Sequence, residues 1–419
     1  MTRRALMLAC VAVAAACTED LTTPAVCPDF CPPGEITVVD TVYADLVGGD
    51  SAFRGYVQAH DASVMLVADV PGVIDSRGLF RTTEVPSGLR LTTDTVTSPV
   101  VAVDSMRIIL NVPRRDTTAR GLALAIHRLP LTIDSTTTFA DVAPAFAAAP
   151  VRVVQVDSLI ALAGHKDTLT GDSVTVDSIA GSVEVLISLD SAEVGYPEAD
   201  SGRLGLGIRA SVDQATGSGN ASVAIGARET GPLITWYIQV DSLGVDTVPR
   251  AVSAGIVFDS YVYDPPAAPL DSTLAVGGAP SARSLLRIGR PAALFDSAQI
   301  VRATLVLVPV AAALGSPGDS IRLVAQRVVT DLGAKSPLAG PSFFGSTYVR
   351  PGVLDTVSLD VTDMMRRWQA DTLAPMALFL RTDPEAGVLG EMRFGSSRQA
   401  AFRPALRVTY APRFPFGLP

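Results

Sequence analysis

The segment ARSLLRIG (Ala282–Gly289) follows an apolar alternating stretch and a small-residue loop. Its Ser284-Leu285-Leu286-Arg287-Ile288 portion reads as a β-strand whose outward face carries Arg287, because a two-residue period sends successive side chains to opposite faces. The same grammar surrounds it. AGIVFDSYVY (Ala254–Tyr263), STLAVG (Ser272–Gly277), VRATLVLVPV (Val301–Val310) and SIRLVAQRVV (Ser320–Val329) alternate in this way, as do MALFLRT (Met376–Thr382), EMRFGS (Glu391–Ser396) and ALRVTY (Ala405–Tyr410). One stretch departs from it: Thr362–Ala370 spaces Met364, Met365 and Trp368 for one face of a short amphipathic helix, with Thr362 or Asp363 as N-cap.

Upstream, SVMLVADV (Ser63–Val70), SMRIILNV (Ser105–Val112), GLALAIHRL (Gly121–Leu129), GSVEVLISL (Gly181–Leu189), GRLGLGIRASV (Gly202–Val212) and PLITWYIQV (Pro232–Val240) carry the same period between turn residues. Val142–Ala149 and Val156–Ala163 fit a helical turn each, or loop and strand. With 419 residues, 48% hydrophobic and only 18% charged, the chain is long enough for two cores. Its wealth of Val, Thr, Ser, Gly and Pro favours strands over helices. Segments also recur in order. Leu66–Leu89 parallels Leu274–Leu294, Val103–Pro113 parallels Ile300–Val310, and the late strands of each half follow one sequence of types. The expected fold is therefore all-β: two tandem antiparallel β-sandwich, jelly-roll-like domains over 36–250 and 251–413, the first enlarged by insertions and the second holding one short helix.

ARSLLRIG, then VSLDVTDMMRRW (Val357–Trp368) and the closing RPALRVTY (Arg403–Tyr410), form an order that resembles the DNRLRE-type β-sandwich domains of bacterial surface proteins. The likeness covers the second half well and the first faintly. It implies a non-enzymatic surface domain, and carbohydrate binding, since some members act as carbohydrate-binding modules.

The N-terminus reads as an export leader. Arg3 and Arg4 precede an apolar run, Ala5–Ala16, of about twelve residues, too short for a bilayer of roughly 30 Å. Ala14-Ala15-Ala16-Cys17 resembles a bacterial lipobox, which implies cleavage after 1–16, lipid attachment at Cys17 and residence at the outer membrane or cell surface. A Pro-rich tether over 17–35 follows, whose Cys27 and Cys31 are candidates for a local disulfide in an oxidising compartment. The formal charge of -9 disfavours nucleic acid as a partner, since phosphates repel an acidic surface.

Catalytic motifs are sparse. Three Gly-Asp-Ser triplets, at Gly49, Gly171 and Gly318, suggest a lipase-type serine, but that chemistry needs a late histidine base. The three histidines, His60, His127 and His165, all lie in the first half, which also excludes H-E-x-x-H sites. Repeated Asp-Ser and Asp-Thr pairs read as turn chemistry at strand ends; a structural calcium ion in one loop is the alternative, with no ligand set assignable and no other cofactor implied. Sugar recognition calls for aromatic platforms, and Tyr56, Tyr196, Tyr261, Tyr263 and Tyr348 fall near loops or strand edges. With Arg287, Arg381 and Arg393 on strands of the second half, they outline an Arg/Tyr groove for an acidic polysaccharide; the same arginines equally suit structural pairing with strand-end acids. The functional expectation is a lipid-anchored carbohydrate- or matrix-binding protein. The alternatives are an adhesion protein with protein partners and, lowest, a hydrolase whose acid pair assembles in the fold.

Overall fold

The structure is a computed structural model that describes residues 38–91, 96–195, 201–212, 220–242, 246–264, 268–316, 318–340 and 344–413. Cys17, Cys27, Cys31 and Tyr196 lie outside these residues.

Two strands come first, β1 (Val39–Tyr43) and β2 (Val47–Arg54). A long middle series follows: β3 (Val64–Val70), β4 (Ile74–Thr82), β5 (Gly88–Arg90), β6 (Thr97–Val112), β7 (Arg114–Arg115), β8 (Leu122–Leu129), β9 (Arg152–Gln155), β10 (Ser173–Val176), β11 (Val183–Asp190), β12 (Gly205–Val212), β13 (Ala221–Gly226), β14 (Leu233–Ser242), β15 (Asp246–Ala254) and β16 (Ile256–Tyr263). The last series is β17 (Thr273–Ala279), β18 (Ala282–Ile288), β19 (Ala298–Leu307), β20 (Pro309–Gly315), β21 (Ile321–Arg327), β22 (Phe344–Val349), β23 (Val357–Asp360), β24 (Ala377–Thr382), β25 (Gly390–Gly395) and β26 (Ala405–Pro412). Strands take 54% of the residues and helices 13%, so the fold is all-β.

Alternation explains the strands. In β14, Ile234, Trp236, Ile238 and Val240 are buried while the residues between them are not. In β11, Val183, Val185, Ile187 and Leu189 do the same. These inward faces meet across two sheets, ordered β7-β13-β3-β4-β12-β8-β9 and β10-β11-β6-β14-β15, which share one core. The second pair, β20-β25-β17-β18-β24-β21-β22 and β1-β26-β19-β23, encloses another core around Leu286, Leu305, Trp368 and Leu406. Helices are few and short. Helix α1 (Phe139–Ala147) starts in a capping box between Thr138 and Asp141, whereas α2 (Val156–Ala161), α3 (Ser191–Val194) and α4 (Ala292–Phe295) are a turn or so long. The expected helix over Thr362–Ala370 is α5, with Met364, Met365 and Trp368 buried. Its N-cap position is Val361, and Asp360 Oδ1 accepts the Thr362 N–H at 2.9 Å.

The two large sheets have the same order, in which Leu66–Leu89 and Leu274–Leu294 occupy the same places as β3–β4 and β17–β18, while Val103–Pro113 and Ile300–Val310 supply β6 and β19 to the smaller sheets. A buried serine marks the correspondence. Ser76 Oγ donates to the Leu66 carbonyl at 2.6 Å, and Ser284 Oγ donates to the Ala275 carbonyl at 2.9 Å. Each hydroxyl sits where its strand parts from its hairpin partner, satisfying a carbonyl that the ladder leaves behind.

The path between the sandwiches corrects the expected division at 250/251. Strand β15 runs through that point, and β16 pairs with β4 in the first sandwich. Strands β1 and β2, placed within 36–250 on sequence grounds, pair instead with β26 and β18 in the second. The sandwiches are therefore nested and not strictly in tandem. The physical reason is edge closure: Leu46 and Val47 complete the second core, and β2 covers an edge of β18 that 251–413 leaves open.

Candidate functional site

A cleft of about 480 Å³ opens where the β3–β4 hairpin of the first sandwich faces β20 and β25 of the second. Its tip is Val70-Pro71-Gly72-Val73, closed by a 3.0 Å bond from the Val73 N–H to the Val70 carbonyl. Proline at the second position and Gly72 at φ +73° at the third are what a type II turn requires. The turn sets Asp69 and Asp75 directly opposite each other, an arrangement that like charges disfavour unless each has a counter-ion. Each has one. Arg209 Nη2 donates to Asp69 Oδ2 at 3.2 Å, and Arg77 Nε and Nη2 grip Asp75 at 3.2 and 2.9 Å. Arg77 is itself held flat over the Phe139 and Phe146 rings, 4.2 and 4.9 Å from their centroids.

Exposed Asp264 adds a third carboxylate, positioned by its N–H, which donates to the Asp75 carbonyl at 2.9 Å. The opposite wall has Leu314 and Arg393. Arg393 is committed, since its Nε donates to Glu391 Oε1 at 2.6 Å. Glu391 is fully buried, and its other oxygen accepts from Arg54. Tyr263 lies beside this group: burial raises its phenol pKa, Arg54 draws it back and Glu391 adds to the rise. The cleft thus presents carboxylate acceptors beside the aliphatic surface of Val70, Pro71, Val73 and Ile74.

The other expected site residues do not converge. Arg287 donates to both oxygens of Asp331 at 2.6 and 3.0 Å, which raises its pKa. Arg381 donates to Gln326 Oε1 at 2.9 Å. Along the outer face of β18 and β24 these two arginines sit four residues apart, roughly 13 Å. Tyr261, expected at the surface, is buried at the junction, where its hydroxyl donates to the Ala386 carbonyl at 2.9 Å and burial raises its pKa. An Arg/Tyr groove of these residues is therefore not formed: the arginines are tied to partners and Tyr261 has no face to offer. Tyr56 and Tyr348 are exposed.

Sequence reasoning passed over Arg283, which is buried between the Tyr56 and Phe379 rings with Glu385 at 4.0 Å. Burial pushes its pKa down to about 10, against the pull of Glu385 and with the push of Arg381. The available signal was its place on the outward face of the strand that carries Arg287.

The serine-hydrolase reading finds no constellation. Asp172 is buried against the Ser188 N–H, Asp50 accepts from the Ser397 N–H, and Asp319 lies near Arg114 and Asp116. His127 sits under α1 with its ring 4.9 Å from Phe146, and burial lowers its pKa. Asp69 and Asp75 are close enough for a glycosidase pair, but an arginine engages each, whereas a general acid needs a carboxyl set against an apolar wall. The Asp-Ser/Thr pairs divide between roles: Asp177 receives the Ile179 N–H at 2.8 Å as turn chemistry, Asp40 binds Arg407, and Asp259 accepts the Arg228 N–H at 2.7 Å. Among the described residues no group of three or more His, Cys, Asp or Glu is arranged to hold a metal.

Comparison with protein-family models gives no match, and no curated protein matches. Among solved structures, the Streptococcus agalactiae AgI/II polypeptide BspA C-terminal domain overlaps 74% of this chain and 76% of its own at 9% identity. Its TM-score of 0.14 is too low to support an argument about fold or function.

Proposed function

We propose that this chain is an exported, lipid-anchored, non-enzymatic protein of the cell envelope that binds carbohydrate or extracellular matrix, with the junction cleft as its ligand site. The observation that carries the reading is the cleft's composition. Asp69, Asp75 and Asp264 offer charged acceptors for hydroxyl donors, and aliphatic side chains beside them suit the C–H face of a sugar ring. Arg209, Arg77 and Glu391 pair the other charges of the lining, which leaves Asp264 as its carboxylate outside any ion pair. An exposed carboxylate there accepts hydroxyl or ammonium donors and repels acidic groups, which favours neutral or amino sugars over the acidic polysaccharide expected from the arginines alone.

A glycan array with the purified protein tests this. Neutral or amino glycans are expected to bind, with affinity reduced about tenfold in Asp264→Asn, the loss of one charge-assisted hydrogen bond. Asp264 is exposed and holds the fold only through its backbone, so the variant should melt like the parent. Retention of polyanions alone, or unchanged glycan affinity in the variant, overturns the assignment.

A further inference from the structure

The first sandwich is closed by its own continuous chain: β15 extends its smaller sheet beside β14, and β16 covers the free edge of β4. In the second sandwich the equivalent places, beside β26 and on the free edge of β18, are filled by β1 and β2 from the far end of the sequence. Its own stretch from β17 to β26 leaves two edges open and a gap where Leu46 and Val47 pack. We infer that Val39–Arg54, whose strands β1 and β2 join opposite sheets of the second sandwich, is an exchangeable closing arm, and that the edges of β18 and β26 accept the same arm from a second copy of this chain.

What the arm gives its acceptor is self-contained. Beyond the two strand ladders, the Leu46 carbonyl accepts the Gly289 N–H at 2.6 Å, Asp40 binds Arg407 Nε at 3.0 Å, and Arg54 binds Glu391. None of these contacts depends on which chain supplies the arm. Only the link at 55–62 does, where Gly55 at φ +67° turns the chain and its N–H donates to the Ser281 carbonyl at 2.7 Å. Extended, that link reaches at most about 27 Å. A reciprocal exchange therefore brings two copies together about a two-fold axis, each donating and accepting one arm. Closed monomer and exchanged dimer bury the same surface within the sandwich, so protein concentration during folding decides between them.

Two full-length variants test this in a background where Cys10, Cys17, Cys27 and Cys31 are changed to Ser. One carries Val42→Cys and the other Arg407→Cys, exposed positions that are direct register partners. A control chain with both changes should close within itself on oxidation, since cross-strand Cα atoms lie about 4.5–5.5 Å apart. Refolded together at high concentration and then oxidised, the single variants are expected to give an interchain disulfide that elutes as a dimer. The yield should fall on dilution before refolding. If the control closes and the mixture stays monomeric at every concentration, the exchange is wrong; if the control does not close, the pairing itself is wrong.

Discussion

The two sandwiches share a sheet order but cover the outer faces of their large sheets with different elements. In the first, the β8–β9 connection carries α1, whose Val142 and Phe146 pack on Leu79, Leu129 and Val262. Gly207 makes room for it, since a Cβ there would lie 2.5 Å from Phe146 Cζ. In the second, the equivalent β21–β22 connection lays Leu338 over Leu285, Val328 and Phe379 and fastens itself through Asp331 to Arg287. A helix does in one place what a loop does in the other, and under each cover an aromatic ring stacks on a buried arginine, Phe146 on Arg77 and Phe379 on Arg283. The difference teaches that strand order is specified by the alternating cores, while the cover answers only to whatever side chains its own connection supplies.

The largest test of that contrast is loss of the aromatic anchors. Phe146→Ala and Phe379→Ala should each cost about 3–5 kcal/mol in urea unfolding. The two costs should be close, because each substitution also strips a ring from a buried arginine, Arg77 for Phe146 and Arg283 for Phe379. Costs that differ by more than about 2 kcal/mol would mean that the two covers do not contribute alike. Next comes the junction. Glu391→Ala leaves Arg54 and Arg393 without their shared carboxylate and should cost about 3 kcal/mol, read as a melting transition of the second sandwich that falls below that of the first. Smaller still, Thr138→Ala removes the α1 cap and should cost about 1 kcal/mol, visible as faster amide exchange in α1 with the second sandwich unaffected.

The smallest effect is in pH dependence. The hydrogen bond from Arg287 holds the Asp331 carboxyl below the usual carboxylate range. Its stabilisation is thus present above the unfolded value near 4 and is lost as pH falls through the lower folded value. Exposure limits it to less than about 1 kcal/mol. Asp172 in the first sandwich has the opposite sign: burial raises its pKa, so its cost appears as pH rises above the unfolded value and vanishes in acid. Asp331→Asn should flatten the acid limb of the stability curve, and Asp172→Asn should add stability near neutrality. Stability-pH curves that do not separate in these directions would break the contrast.

Much of the fold was legible in short stretches. PLITWYIQV announces its buried face at every second residue, and the Met364, Met365 and Trp368 spacing announces α5. The candidate site was legible only in part. Val70-Pro71-Gly72-Val73 reads as a type II turn, and Arg393 stands on its expected strand. That Tyr261 is buried depends on Ala386, and that Arg283 is buried depends on Tyr56 and Phe379, all remote along the chain.

By itself the sequence determined the β class, the positions of the long central strands and the repeated order of segments, because period-two patterning is a local property that such a strand carries within itself. Only the tertiary structure decided that Val39–Arg54 closes the second sandwich, and that the β3–β4 turn meets β20 and β25 in a cleft. Edge closure and the meeting of two surfaces depend on which open edges are left once both cores have formed, and no local period records that.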